Sequence, residues 1–125
     1  MKKIISTSNA PAAIGPYSQA VLTRGVLYTA GQIAIIPETG ELDLSSINAE
    51  THQVMKNLEA ILSASEMDFS NVVKCTIFLK DMNQYSEINT VYAQYFSDNP
   101  PAREAVQVSR LPKDVNVEIS LIAVS

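Results

Sequence analysis

The residue pattern predicts an α+β fold, one sheet with two helices packed on a single face. Three observations carry it: two long segments with apolar residues at helical spacing, several with strand-like alternation, and turn residues that join some strands directly while helices bridge others. Strands that mix hairpins with helical crossovers favour an α+β sheet. At 125 residues the chain makes one domain, 1–125, able to bury about two thirds of its extended-chain surface in one core.

Residues 3–5 form a short first strand. Two prolines and Gly15 interrupt any periodicity from Ala10 to Tyr17, which marks a loop. Ser18–Thr23 and Leu27–Ala30 are strands around a turn at Arg24-Gly25, and Pro37-Glu-Thr-Gly40 is a second turn. Ile47, Val54, Leu58, Ile61 and Leu62 make the apolar stripe of a helix over 48–64, with Asn48 as its cap. A strand at Val72–Leu79 follows. Asp81-Met-Asn-Gln84 has the form of a capping box and opens a second helix to Phe96, striped by Tyr85, Ile88, Tyr92, Tyr95 and Phe96. The last strands are Arg103–Ser109 and Val115–Val124, the latter with Val115, Val117, Ile119 and Leu121 on one face. Lys74, Thr76 and Phe78, with Asn116, Glu118 and Ser120, then occupy the sheet face that no helix covers. A short domain with such a face points to assembly into a ring of sheets.

Thirteen acidic residues against nine basic give a net charge of −4. That disfavours a nucleic-acid partner, whose binding draws on lysine and arginine. No apolar run approaches the ~18 residues of a membrane span, and the amino-terminal residues lack the apolar region of a signal peptide. With one cysteine, Cys75, on the apolar face of its strand, the expectation is a reduced, cytoplasmic protein with a buried thiol. His52, the sole histidine, lies off its helix stripe and is expected to be solvated. No metal set or nucleophile–base triad can be composed.

Chemistry then falls to Arg, Glu, Tyr, backbone amides and water. Arg103 follows Pro100-Pro101-Ala102, whose prolines stiffen its approach, and its planar fork suits a carboxylate bidentately. Taken alone, it also fits a surface arginine at a strand start. Glu118, between Val117 and Ile119, points away from the apolar face and reads either as a solvated strand residue or as a proton-handling group. With Arg103 heading the strand beside it, the two would meet in one cleft. Gly31 ends a strand without a side chain, so its amide can approach a bound carboxylate, or it is simply a strand-end glycine.

Ala10-Pro-Ala-Ala-Ile-Gly-Pro-Tyr17-Ser-Gln, Ala30-Gly31-Gln32-Ile33, Pro101-Ala102-Arg103, and Arg110-Leu-Pro-Lys-Asp-Val115 through Val117-Glu118-Ile119 together resemble the RidA/YjgF family of enamine/imine deaminases. The resemblance spans essentially the whole chain. It implies a chorismate-mutase-like α+β fold, a homotrimer whose sheets line a barrel, active sites at subunit interfaces, and cofactor-free hydrolysis of 2-iminobutanoate and 2-iminopropanoate to 2-oxo acids and ammonia. By position, Arg103 matches the arginine that pairs with the substrate carboxylate, and Gly31 the residue whose amide assists it. Glu118 matches the acid that positions water, Tyr17 the aromatic bordering the pocket, and Asn89 a pocket asparagine. Asn89 also neighbours Tyr85 one turn back, where it fits helix packing. Ala30 stands where the family commonly has Ser, and Ala105 where it often has Cys. Those departures keep open a trimer that binds 2-oxo acids for regulation without turnover. The ribonuclease or translation-inhibitor role also assigned to relatives suits an acidic chain with one histidine least.

Overall fold

The computed structural model describes residues 1–96 and 98–125. Eight elements form the frame: β1 (Lys3–Ile5), β2 (Ala20–Thr23), β3 (Val26–Thr29), α1 (Ile47–Ala64), β4 (Val72–Leu79), α2 (Tyr85–Ala93), β5 (Ala102–Gln107) and β6 (Val117–Val124). The strands make one mixed sheet in the order β1-β2-β3-β6-β4-β5. Every pairing is antiparallel except β4 with β5, which the α2 crossover makes parallel.

Local chemistry sets most boundaries. Arg24 and Gly25 both have positive φ, as a two-residue hairpin turn between β2 and β3 requires. Ser46, not Asn48, caps α1: its hydroxyl accepts from the Ala49 amide at 3.0 Å, and the helix already begins at Ile47. Asp81 does accept from the Asn83 amide, but the turn it opens, Met82–Gln84, is a 3₁₀ turn. Gln84 makes no side-chain cap to α2, so the expected capping box does not form there. Beyond Ala93 the amides of Gln94, Tyr95 and Phe96 bond three residues back, so the expected helical tail is a run of tight turns. β6 starts at Val117 because Lys113 and Asp114 hold positive φ in a turn that ends just before it.

The core lies between the helices and the inner sheet face. Val117, Ile119, Leu121 and Ala123 of β6 and Cys75, Ile77 and Leu79 of β4 are buried against Val54, Leu58, Ile61 and Leu62 of α1 and Ile88 and Tyr92 of α2. The Cys75 thiol is thus a core group, as its strand position suggested, and burial pushes its pKa up. His52 differs from expectation. It is half-buried, and its Nδ1 lies 2.8 Å from the Tyr95 hydroxyl, because the turns after α2 fold back over α1.

Glu50 is fully buried in the first turn of α1. Its Oε2 accepts from the Asn116 amide at 2.8 Å and the Val117 amide at 3.3 Å, and its Oε1 from Asn116 Nδ2 at 2.7 Å. Asn116 therefore turns to the helix side and does not share the open sheet face with Glu118 and Ser120. Glu50→Ala would strand three donors at the start of β6. It should lower stability by about 3 kcal/mol, read as the urea midpoint at constant slope. An unchanged midpoint would mean those donors find water at no cost.

Candidate active site

Glu118 projects from β6 opposite Phe78 of β4, on the face the helices leave open. A backbone bridge, Gln32 N–H to Ile119 C=O at 2.8 Å and Ile119 N–H to Gln32 C=O at 3.1 Å, draws residues 31–32 alongside β6 past the end of β3. Gly31 then lies directly against the Glu118 carboxylate. A β-carbon at Gly31 would sit 2.7 Å from Glu118 Cδ, so the absent side chain is what lets the carboxylate occupy this position.

Two buried amides hold the surrounding loops. Gln19 Oε1 accepts from the Thr7 amide at 2.7 Å while its Nε2 donates to the carbonyls of Thr7, Ala10 and Pro11. Asn57 Nδ2 donates to the carbonyls of Ile33 and Ile35. Between these loops lies a cleft of about 370 Å³ whose lining includes Ile14, Tyr17, Gly31, Lys113 and Glu118. Tyr17 borders it as an exposed ring at the end of a tight turn in which its amide bonds Gly15. Among the described residues, no side chain donates to Glu118 or pairs with it. Partial burial alone lifts its pKa above the ordinary glutamate value.

Arg103 lies elsewhere. Its residue pairs with Cys75 of β4, so its side chain rises from the inner face at the sheet edge, under α2. There Nη1 donates to Asn89 Oδ1 at 2.8 Å, and Nη2 donates to the Tyr85 hydroxyl. The guanidinium carbon stands 4.9 Å from the Tyr92 ring centroid and 5.5 Å from that of Tyr85. The floor beneath it is neutral: Tyr92 buries its hydroxyl near Cys75, and burial raises both pKa values. Among the described residues the ion pairs are Lys74–Glu104 and Lys80–Asp114, and none involves Arg103. An arginine held by neutral acceptors and aromatic rings, with no carboxylate paired to it among the described residues, keeps the charge and donors that could receive an anion.

The expectation that Arg103 heads the strand next to Glu118 is corrected by the strand order. β4 separates β5 from β6, pairing antiparallel with β6 on one edge and parallel with β5 on the other. Glu118 stands level with Phe78 and Val106, three positions along from Cys75 and Arg103. An odd offset also reverses the face. Within one chain the two groups are therefore on opposite sides of the sheet, about 10 Å apart both across and along it. Tyr17, Gly31 and Glu118 form one cluster; Arg103 and Asn89 form the other.

Tyr85 and Tyr92, read from sequence as helix packing, are the partners of Arg103 that went unnoticed. With Asn89 between them, at spacings of four and three, they share one face of α2, and a polar residue inside an aromatic stripe was the available signal.

Comparison with known proteins agrees with this architecture. The family model described as endoribonuclease L-PSP matches residues 7–125. A RutC family protein of Pyrococcus horikoshii is 52% identical over 123 residues, covering 98% of each chain. The human 2-iminobutanoate/2-iminopropanoate deaminase is 46% identical over 124 residues, covering 99% of this chain and 90% of its own. Among solved structures, a Rid-family protein of Yersinia pestis superposes with a TM-score of 0.97 at 47% identity over the whole of both chains. E. coli TdcF with bound serine gives 0.94 at 41% identity, covering 98% of each. Matches of this kind, over nearly the whole chain, place it in the RidA/YjgF family.

Proposed function

We propose that the protein hydrolyses short 2-imino acids, 2-iminobutanoate and 2-iminopropanoate, to 2-oxo acids and ammonia, as a homotrimer with sites between subunits. The observation that carries the reading is the division of the site. Arg103 has an uncancelled charge on one side of the sheet, and Glu118 a raised pKa on the other, each lacking the counterpart that the second cluster of a neighbouring copy would bring. The open sheet face, with Tyr28, Val73 and Val106 nearly half exposed, supplies apolar surface for that assembly. The names of the mammalian relatives support the substrate class, and the serine held by E. coli TdcF shows a small amino acid bound by a relative.

The chemistry asks little of the protein. A protonated imine is already electrophilic, so orientation and one proton shuttle suffice. Arg103, braced by Asn89, grips the substrate carboxylate, and the Gly31 amide assists it. Tyr17 bounds the pocket. Glu118 takes a proton from a water as its oxygen bonds the imine carbon, then returns that proton to nitrogen. Glu118 then takes the remaining hydroxyl proton as the C–N bond breaks, so that the carbonyl forms and ammonia leaves. No nucleophilic side chain is needed.

A threonine dehydratase reaction supplies 2-iminobutanoate in solution, and adding the protein should accelerate release of 2-oxobutanoate. Binding of 2-oxobutanoate without acceleration would instead support the regulatory, non-catalytic reading. Sedimentation at micromolar concentration should give a trimer. A monomer with full activity would sink the shared-site arrangement.

A further inference from the structure

Tyr85 faces the guanidinium that the proposed function assigns to the substrate carboxylate, yet nothing in that function uses its hydroxyl. We propose that the Tyr85 hydroxyl is a second donor to the carboxylate held by Arg103, and that it sharpens selection of 2-imino acids over their uncharged analogues. The inference rests on the reading of Arg103 as the anion site.

Donor counting leads to it. Arginine carries five N–H donors and no acceptor, whereas a phenol carries one donor and two lone pairs. In the contact between Arg103 Nη2 and the Tyr85 oxygen, the nitrogen must donate and the oxygen accept. The phenol proton is left over, and among the described residues no acceptor takes it. Asn89 accepts from the other terminal nitrogen, so two of the five N–H groups are engaged and three remain. Three suffice for a bidentate grip. A carboxylate oxygen bound to Nη2 shares that nitrogen with the Tyr85 oxygen. The phenol proton can rotate toward it while the ring keeps its place 5.5 Å from the guanidinium carbon.

Tyr92 provides the contrast. It lends Arg103 its ring face at 4.9 Å, while its hydroxyl is buried away from solvent. Tyr85 is only partly buried. An amide in place of the carboxylate presents an NH₂ group, which cannot accept, on one of its two arms. A site with a fork plus a phenol donor thus discriminates more strongly than the fork alone.

Tyr85→Phe keeps the ring and deletes the oxygen. Calorimetric titration should show 2-oxobutanoate bound about tenfold more weakly, the loss expected for one hydrogen bond to a charged group. KM for the imine should rise by a similar factor with kcat within about twofold. Binding of 2-oxobutanamide should change less than about twofold, and the melting temperature should hold. Unchanged 2-oxobutanoate affinity overturns the proposal. So does equal weakening of both ligands, which would reduce Tyr85 to shaping the pocket. Arg103→Ala in the same titration separates the two levels. If it binds 2-oxobutanoate like the wild type, the anion-site reading fails and takes this inference with it. If it loses binding while Tyr85→Phe does not, only the Tyr85 role falls.

Discussion

Glu118→Gln should slow imine hydrolysis by about 100-fold or more, the usual cost of losing a positioned acid–base group, while 2-oxobutanoate binding and the trimer persist. The change is nearly isosteric, so the gap left by Gly31 still accommodates it. Two pH signatures accompany the loss. Burial raises the Glu118 pKa, and a base must be deprotonated to act, so the acid limb of the wild-type profile should lie above the ordinary glutamate value and vanish in the variant. Stability gives the second, with its sign fixed by linkage. A carboxyl whose pKa is higher folded than unfolded holds more protons in the native state, so native stability declines as pH rises through that interval. Glu118→Gln should remove this decline and be the more stable protein at neutral pH. Rate–pH profiles and urea titrations at pH 4 and 7 check both. A well-folded variant with unchanged turnover would return Glu118 to a solvated strand position.

How far the sequence disclosed this arrangement depends on the range of the interactions concerned. β6 alternates strictly, and β4 from Cys75 onward, because one face of each is core, and α1 carries an apolar stripe because it crosses that face; such periodicities are local and were legible. The neighbour of β6 was misread: β5, adjacent to it in sequence, was placed beside it, whereas β4 lies between them, and a helical crossover sets the direction of a strand without fixing which edge it takes. Glu50 was invisible for a different reason. A glutamate in the first turn of a helix looks like a solvated partner of the helix dipole, and only Asn116, distant in sequence, reveals it as a buried acceptor. Tyr85 and Tyr92 were hidden by their own amphipathic character, which reads as packing until Arg103 is placed beneath them. The site residues matched by resemblance fell into two clusters, Tyr17 with Gly31 and Glu118, and Asn89 with Arg103. Nothing in a linear pattern announces that division.

Arg103→Ala is expected to weaken 2-oxobutanoate binding by roughly 30-fold or more, since truncating one member of a desolvated ion pair typically costs about 2–5 kcal/mol. Arg103→Lys should fall between, keeping a charge but losing the fork that Asn89 and Tyr85 orient. Neither change should abolish folding. The side chain is half-buried at a sheet edge, its partners are neutral, and water can replace it on Asn89 and Tyr85. The same substitution also tests where the two clusters meet. If a partner subunit's Arg103 stands over Glu118, its positive charge opposes the burial that raises the glutamate pKa. Removing it should then move the acid limb of the rate profile further up in pH, in addition to raising KM. An arginine confined to its own side of the sheet, more than two strand spacings away, would leave that limb in place. Weakened binding with an unmoved limb would keep Arg103 as an anion site and separate it from the hydrolytic centre. Affinity equal to wild type by calorimetry would remove the anion site itself, and with it the reason to expect a 2-imino acid here.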